Sequence, residues 1–519
     1  MTTHTHSWLG HRQSGLLAHI SSLPGDFGIG NMGSPARKFI EFISSCGFAY
    51  WQICPAGPTG YGDSPYQSFS SYAGNPYFLD LNRLIHQGLL TEEETAPLKK
   101  LSTEKVDYGQ LYERFWDILA LAAERFDPQT ELDGYTIDWK TFLEQTQEWL
   151  DAYSLFMGLK KLHEGKAWHQ WDLKYKDFSS IETDNLPQIV IEEKKRHMVY
   201  QFFFFNQWKL LRDYAAYHNV QIIGDVPIFV AHDSADVWQH PEAFRIRKDG
   251  SLIVSAGVPP DYFSETGQYW GNPLYDWDYL KKTGYKWWLN RLNGAFNLYD
   301  VIRLDHFRAF SSFWEIPGGA PDARQGTWEK GPAMDFFDKV YEQFPHLKLI
   351  AEDLGYIDQA VYDLRIECAL PGMKVIQFGF GHDTNNVNLP HFYPKNSVVY
   401  SGTHDNDTTI GWLSKLDASI KAKVEDYFSQ ANGCNAWTLI RAAFLSVSSL
   451  AVITMQDLLE LGSEARMNTP GTAWGNWQWR FSEEALKDLA EKKLENLRQL
   501  HKLSDRTGDT GQHNFSASP

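Results

Sequence analysis

Three short segments hold side chains able to do chemistry. In Val301-Ile-Arg-Leu-Asp-His-Phe-Arg308 an arginine and an aspartate stand two residues apart. Alternate side chains of a strand face the same way, so Arg303 and Asp305 share one face while Ile302 and Leu304 cover the other. The guanidinium favours the ionised carboxylate, as a nucleophile requires, although a plain ion pair has the same spacing. In Ile350-Ala-Glu-Asp-Leu-Gly355, Glu352 shares a face with Ile350, and a partly desolvated Glu has the raised pKa of a proton donor. Asp353 faces the other way and suits a helix cap. In Ser401-Gly-Thr-His-Asp-Asn-Asp407, Asp405 and Asp407 imitate the start of a calcium loop. Ile410 stands where that loop needs glycine and Leu416 where it needs a bidentate Glu, so a calcium-binding hand is excluded. His404 and Asp405 are left to ligate another metal or, the reading we prefer, to bind the hydroxyls of a neutral sugar.

Each segment ends an apolar or β-rich run, and five more runs of that kind are spaced along the chain. The eight are Gly15–Leu23, Tyr50–Ala56, Val220–Ile228, Leu298–Asp305, Leu347–Glu352, Met373–Phe380, Ser397–His404 and Ala451–Leu458. Segments able to hold a helix separate them, which predicts an α/β fold, a (β/α)8 TIM barrel with its active site at the C-terminal ends of the strands. An open doubly wound sheet has a similar pattern. About 160 residues between the second and third runs exceed what one crossover helix needs, so residues 62–218 are read as an inserted, mainly helical subdomain. Its helices are expected at Tyr108–Phe126, Trp139–His163 and Gln188–His218, with Phe202 to Phe205 packed on all sides. Residues 231–297, dense in Pro, Gly and aromatics, read as an ordered loop subdomain over the barrel mouth. A last amphipathic helix, Ser482–Leu500, completes a single catalytic domain spanning 1–503. No run of strands is left for a C-terminal β-domain, and 504–519 is expected to be a flexible tail.

Composition narrows the ligand. The 519 residues carry a formal charge of -17, which repels polyphosphates and gives no electrostatic footprint for nucleic acid. Aromatic residues reach 15%, with 20 Trp, 25 Tyr and 32 Phe, suiting a neutral ligand with flat apolar faces. Cys46, Cys54, Cys368 and Cys434 include no CxxC pair, so a reducing cytoplasm is the expected compartment. The first twelve residues lack the layout of a secretory signal, and no apolar stretch is long enough for a membrane span.

The trio Arg303-Leu-Asp305, Glu352 and His404-Asp405 resembles the α-amylase clan of retaining glycoside-active enzymes. Ser21-Ser-Leu-Pro-Gly-Asp-Phe-Gly-Ile-Gly, Gly57-Pro-Thr-Gly-Tyr-Gly-Asp-Ser-Pro-Tyr-Gln-Ser, Gly224-Asp-Val-Pro-Ile-Phe and Tyr269-Trp-Gly-Asn-Pro narrow the match. Together, from about Gly15 to Arg480, they resemble the amylomaltases of glycoside hydrolase family 77. The resemblance implies Asp305 as nucleophile, Glu352 as acid and base, and Asp405 as transition-state stabiliser. It also implies that Arg303 and His404 hold the sugar, that Tyr61 stacks on it, and that Asp261, Gln268 and Trp270 reach it from the covering loop. Asp225 matches the first residue of the clan's strand-three motif, whereas Phe229 and Val230 replace that motif's usual Asn and His. Asp383 and Asn468 are assigned to the substrate cleft.

The expected activity is transfer of an α-1,4-glucan segment to the 4-hydroxyl of another glucan or glucose, by retaining double displacement. The expected partners are α-1,4-glucans and malto-oligosaccharides, with no nucleic acid, membrane, metal or organic cofactor. A hydrolase with the same acids, or an inactive glucan-binding protein, would have much of the same sequence.

Overall fold

A computed structural model describes residues 7–60, 62–260, 264–381, 386–430 and 433–507. The strands among them are β1 (Gln13–Leu17), β2 (Tyr50–Gln52), β3 (Gln221–Val226), β4 (Val254–Val258), β5 (Gln268–Pro273) and β6 (Val301–Leu304). They continue as β7 (Ser312–Pro317), β8 (Thr327–Lys330), β9 (Leu349–Ala351), β10 (Gly372–Val375), β11 (Ser397–Tyr400) and β12 (Leu450–Thr454). β1, β2, β3, β6, β9, β10, β11 and β12 close, in that order, into a parallel barrel. Each barrel strand lies within or overlaps one of the eight predicted runs.

Side-chain alternation builds two cores from one set of strands. Leu17, Tyr50, Ile223, Val301, Ile350, Met373, Val398 and Val452 fill the barrel interior. Their neighbours Leu16, Trp51, Ile222, Ile302, Leu349, Val399 and Ala451 face outward, into the core shared with the helices. The cross-strand register pairs Ile223 with Val301 and Asp225 with Arg303, then Arg303 with Ile350. The interior is therefore apolar over its lower layers and turns charged two residues further along the strands.

The interval between β2 and β3 contains helices Tyr108–Arg125, Trp139–Thr146, Leu150–Leu162 and Gln188–Tyr217. The single helix expected over Trp139–His163 is two, because Trp149 leaves helical geometry (φ -133°, ψ -31°) and stacks on Tyr72 at 6.1 Å. Phe202, Phe203 and Phe204 are buried, each worth about 2 kcal/mol of apolar burial, while Phe205 is only half-buried against Trp149 and Phe142.

Two further expectations are corrected. The segment after β3 is not simply a loop. Its β4 and β5 join β7 and β8, which follow the fourth barrel strand, in an antiparallel sheet ordered β5-β4-β7-β8. The chain also stays tied down beyond 503: Arg506 is fully buried and donates to the carbonyls of Gln13, Phe444, Ser448 and Ser449 at 2.7–3.0 Å. The guanidinium gathers backbone carbonyls at the barrel floor, two of which, those of Phe444 and Ser449, also accept from Arg12 and from the Gln13 amide. The rest of the expected tail, 508–519, lies outside the described residues. No helix among the described residues is long and apolar enough to cross a membrane.

Candidate active site

The charged layer sits where the barrel strands end. Arg303 Nη1 donates to Asp225 Oδ2 at 2.6 Å and to Asp305 Oδ1 at 3.0 Å, and its side chain is almost wholly buried. Tyr66 adds its hydroxyl to the same Asp225 oxygen at 2.8 Å. One cation thus orients two carboxylates at the ends of neighbouring strands, and Tyr66 fixes the more buried one. Burial pushes Asp305 up to about 6 against the pull of Arg303, with Asp225 and Asp405 adding to the rise.

Glu352 immediately follows β9 and is buried. Its Oε2 accepts from the backbone N–H of His306 at 2.7 Å and its Oε1 from Leu354 at 2.9 Å. Burial pushes it up to about 7, Asp305 adds to the rise, and Arg303 and the two amides oppose it. The His306 amide is aimed by an unusual backbone. His306 has φ 46° and ψ 50°, a left-handed conformation that costs a β-carbon residue about 1 kcal/mol or more. Strain therefore sits between Asp305 and Glu352.

The third acid follows β11. Asp405 Oδ2 lies 3.3 Å from His404 Nε2, and Asp405 Oδ1 accepts from Asn468 Nδ2 at 2.6 Å. Burial works against the Asp405 charge, yet His404 and Asn468 hold the carboxyl well below the ordinary range. His404 itself is raised, because Asp405 outweighs the cost of burying its charge. Its ring is stacked with Tyr66 at 5.2 Å and packs near Trp477 at 5.8 Å. Asp405 is 45% exposed and so presents an ionised face to the cleft.

The structure brings together Asp225, Arg303, Asp305, Glu352, His404, Asp405 and Asn468. Gln268 and Trp270 come from β5: Trp270 Nε1 donates to Gln268 Oε1 at 3.1 Å, and its ring meets His306 edge-on at 5.0 Å. Tyr61, Asp261 and Asp383 lie outside the described residues. Tyr66, five residues beyond Tyr61 in the same motif, was not singled out by the sequence. Two tyrosines in an aperiodic loop give no signal of which one reaches the mouth. Among the described residues no three His, Cys, Asp or Glu side chains converge as a metal cage.

The arrangement can hold one carboxylate ionised beside an arginine, keep a second protonated near neutrality, and offer a third to hydroxyl groups. A protein-family model described as 4-alpha-glucanotransferase matches residues 18–487. The 4-alpha-glucanotransferase of Streptococcus pneumoniae is 42% identical over 497 residues, 95% of this chain and 97% of its own length. That of Thermus thermophilus is 45% identical over 478 residues, 91% of this chain and 95% of its own. A solved amylomaltase from Streptococcus agalactiae, in complex with acarbose, superposes with a TM-score of 0.90 at 37% identity, covering 95% of this chain and 99% of its own.

Proposed function

The chain belongs to the 4-alpha-glucanotransferase family, glycoside hydrolase family 77, and transfers α-glucan segments between glucans; we propose how its three carboxylates divide that reaction. Asp305, ionised beside Arg303, attacks the anomeric carbon of the donor while Glu352 gives its proton to the leaving glycosidic oxygen. The product is a β-linked glycosyl ester on Asp305. Glu352, now ionised, takes the proton from the 4-hydroxyl of the acceptor, whose oxygen displaces Asp305 and restores the α configuration. Asp405 and His404 bind sugar hydroxyls beside the reacting carbon, and Tyr66, which stacks on His404 and holds Asp225, supplies an aromatic face to the same sugar. Asp225 acts through Arg303 and Tyr66.

One observation carries this division: among the described residues Asp305 holds an arginine while Glu352, buried beside it, holds only amide donors. The same surroundings give the two acids different proton occupancies near neutrality. Asp261 and Asp383 are proposed cleft residues, and Tyr61 a further sugar contact. The chain through Arg506 is read as one catalytic domain, with the insert at 62–218 and the antiparallel sheet of β4, β5, β7 and β8 walling the cleft. The substrates are α-1,4-glucans and malto-oligosaccharides, and the compartment is the cytoplasm, in keeping with four unpaired cysteines.

Trp270 is proposed to keep water from the glycosyl ester. With maltotriose as sole substrate, a transferase makes glucose and maltopentaose and then a ladder of longer chains. A hydrolase makes glucose and maltose alone, and a binding protein makes nothing. Trp270→Ala is expected to lower the ratio of maltopentaose formed to bonds hydrolysed, and an unchanged ratio removes this role.

A further inference from the structure

Beside the reacting centre, one buried arginine joins two exposed rings. Arg308 stands three residues after Asp305. Its guanidinium lies 3.9 Å from the centre of the Trp328 ring and 5.8 Å from that of Tyr356. All three of its nitrogens have acceptors: Nε has Ser312 O at 3.4 Å, Nη2 has Ser312 Oγ at 3.1 Å and Asp358 Oδ2 at 3.5 Å, and Nη1 has the Tyr356 carbonyl. So held, it fixes the loop that follows Glu352 against β8. Trp328 is backed on β7 by its cross-strand partner Trp314, edge-on at 5.2 Å.

Part of each ring is still left open. Tyr356 is 73% exposed and Trp328 39%. Anchoring the loop needs the arginine and its acceptors, and does not need two aromatic surfaces facing water. Their place relative to the chemistry gives them a use. Glu352 hands its proton to the leaving oxygen, so the leaving chain, and the acceptor chain after it, extends outward from Glu352. The turn that donates to Glu352 through His306 is the turn that carries Arg308.

We propose that Tyr356 and Trp328, clamped by Arg308, form a remote platform on the acceptor side, where a sugar ring of a malto-oligosaccharide acceptor lays its apolar face. Ser312 and Asp358 rim the platform with hydroxyl-binding groups. This rests on the transferase reading above and adds to it a preference for long acceptors.

The test uses α-maltosyl fluoride as donor, since a leaving group of one atom keeps the acceptor side vacant. Transfer to glucose, maltose, maltotriose and maltopentaose is measured for the wild type, Tyr356→Ala and Tyr356→Phe. The wild type is expected to prefer maltopentaose to glucose. That preference falls about tenfold in Tyr356→Ala, as for one lost stacking contact, and stays within about twofold in Tyr356→Phe. A preference kept by Tyr356→Ala overturns the proposal, including the case where all acceptors slow in parallel, which is what a loosened loop around Glu352 produces. A wild type without preference overturns it as well. Fluoride release with transfer to no acceptor at all would instead remove the transferase reading.

Discussion

The barrel interior has two halves built on the same inward faces. Below lie Ile223, Val301, Ile350 and Met373, a buried apolar plug. Two residues along the same strands come Asp225, Arg303 and, past β9, Glu352. A shift of two residues is about 6.6 Å of strand, so the change from hydrocarbon to charge is abrupt. The plug gives stability by burial and the charged layer spends some of it, since carboxyls raised to about 6 and 7 sit where their ionised forms are disfavoured. On the proposed division of roles the plug belongs with the catalytic groups, since burial is what pushes the Glu352 carboxyl up.

The largest expected effect comes from the charged half. Asp305→Asn removes the nucleophile and keeps its shape, so activity on maltotriose should fall on the order of 10⁴-fold or more. Circular dichroism should be unaltered. A mechanism-based fluoro-glycoside should label Asp305 in the wild type, and mapping the label to Glu352 or Asp405 would reassign the nucleophile.

Next in size is Glu352→Gln, with an expected loss on glucans of roughly 10²- to 10⁴-fold. The wild-type profile should be a narrow bell. Activity needs Asp305 ionised, so it rises through about pH 6, and needs Glu352 protonated, so it falls through about pH 7. A fluoride donor needs no proton, so it should recover much of the first step in Glu352→Gln and show no alkaline limb. A limb that persists would assign it to another group.

The smallest effect tests the apolar half. Ile350→Thr puts a hydroxyl under Glu352 and should cost about 2 kcal/mol of stability, read by denaturant unfolding. If the plug sets the acidity of Glu352, the alkaline limb should also move down by about half a pH unit. A destabilised variant with an unmoved limb would separate the two halves.

Much of this was legible in the sequence because period-two alternation is a local signal. Arg303 and Asp305, or Ile350 and Glu352, declare a shared face wherever the strand sits. The runs overshot the strands where apolar residues continue past the last ladder bond, as at Ile20–Ser22 and Ile376–Gly379, which are 3-10 turns. The small antiparallel sheet was not legible, because Ser312–Pro317 finds β4 only across the fourth barrel strand, and Thr327–Lys330 joins the sheet through Ser312–Pro317. Tyr66 was missed for a related reason: its partners Asp225 and His404 are distant in sequence, and its own loop has no period.

Arg506 has a consequence in time. The carbonyls it gathers flank the seam where β1 meets β12, and more than 400 residues of chain separate those strands. At about 5–20 residues per second a ribosome needs tens of seconds to make that stretch. Throughout it β1 keeps one unpaired edge, and the guanidinium that locks the seam emerges later still than β12. The barrel of this protein closes only once its eighth strand has been made.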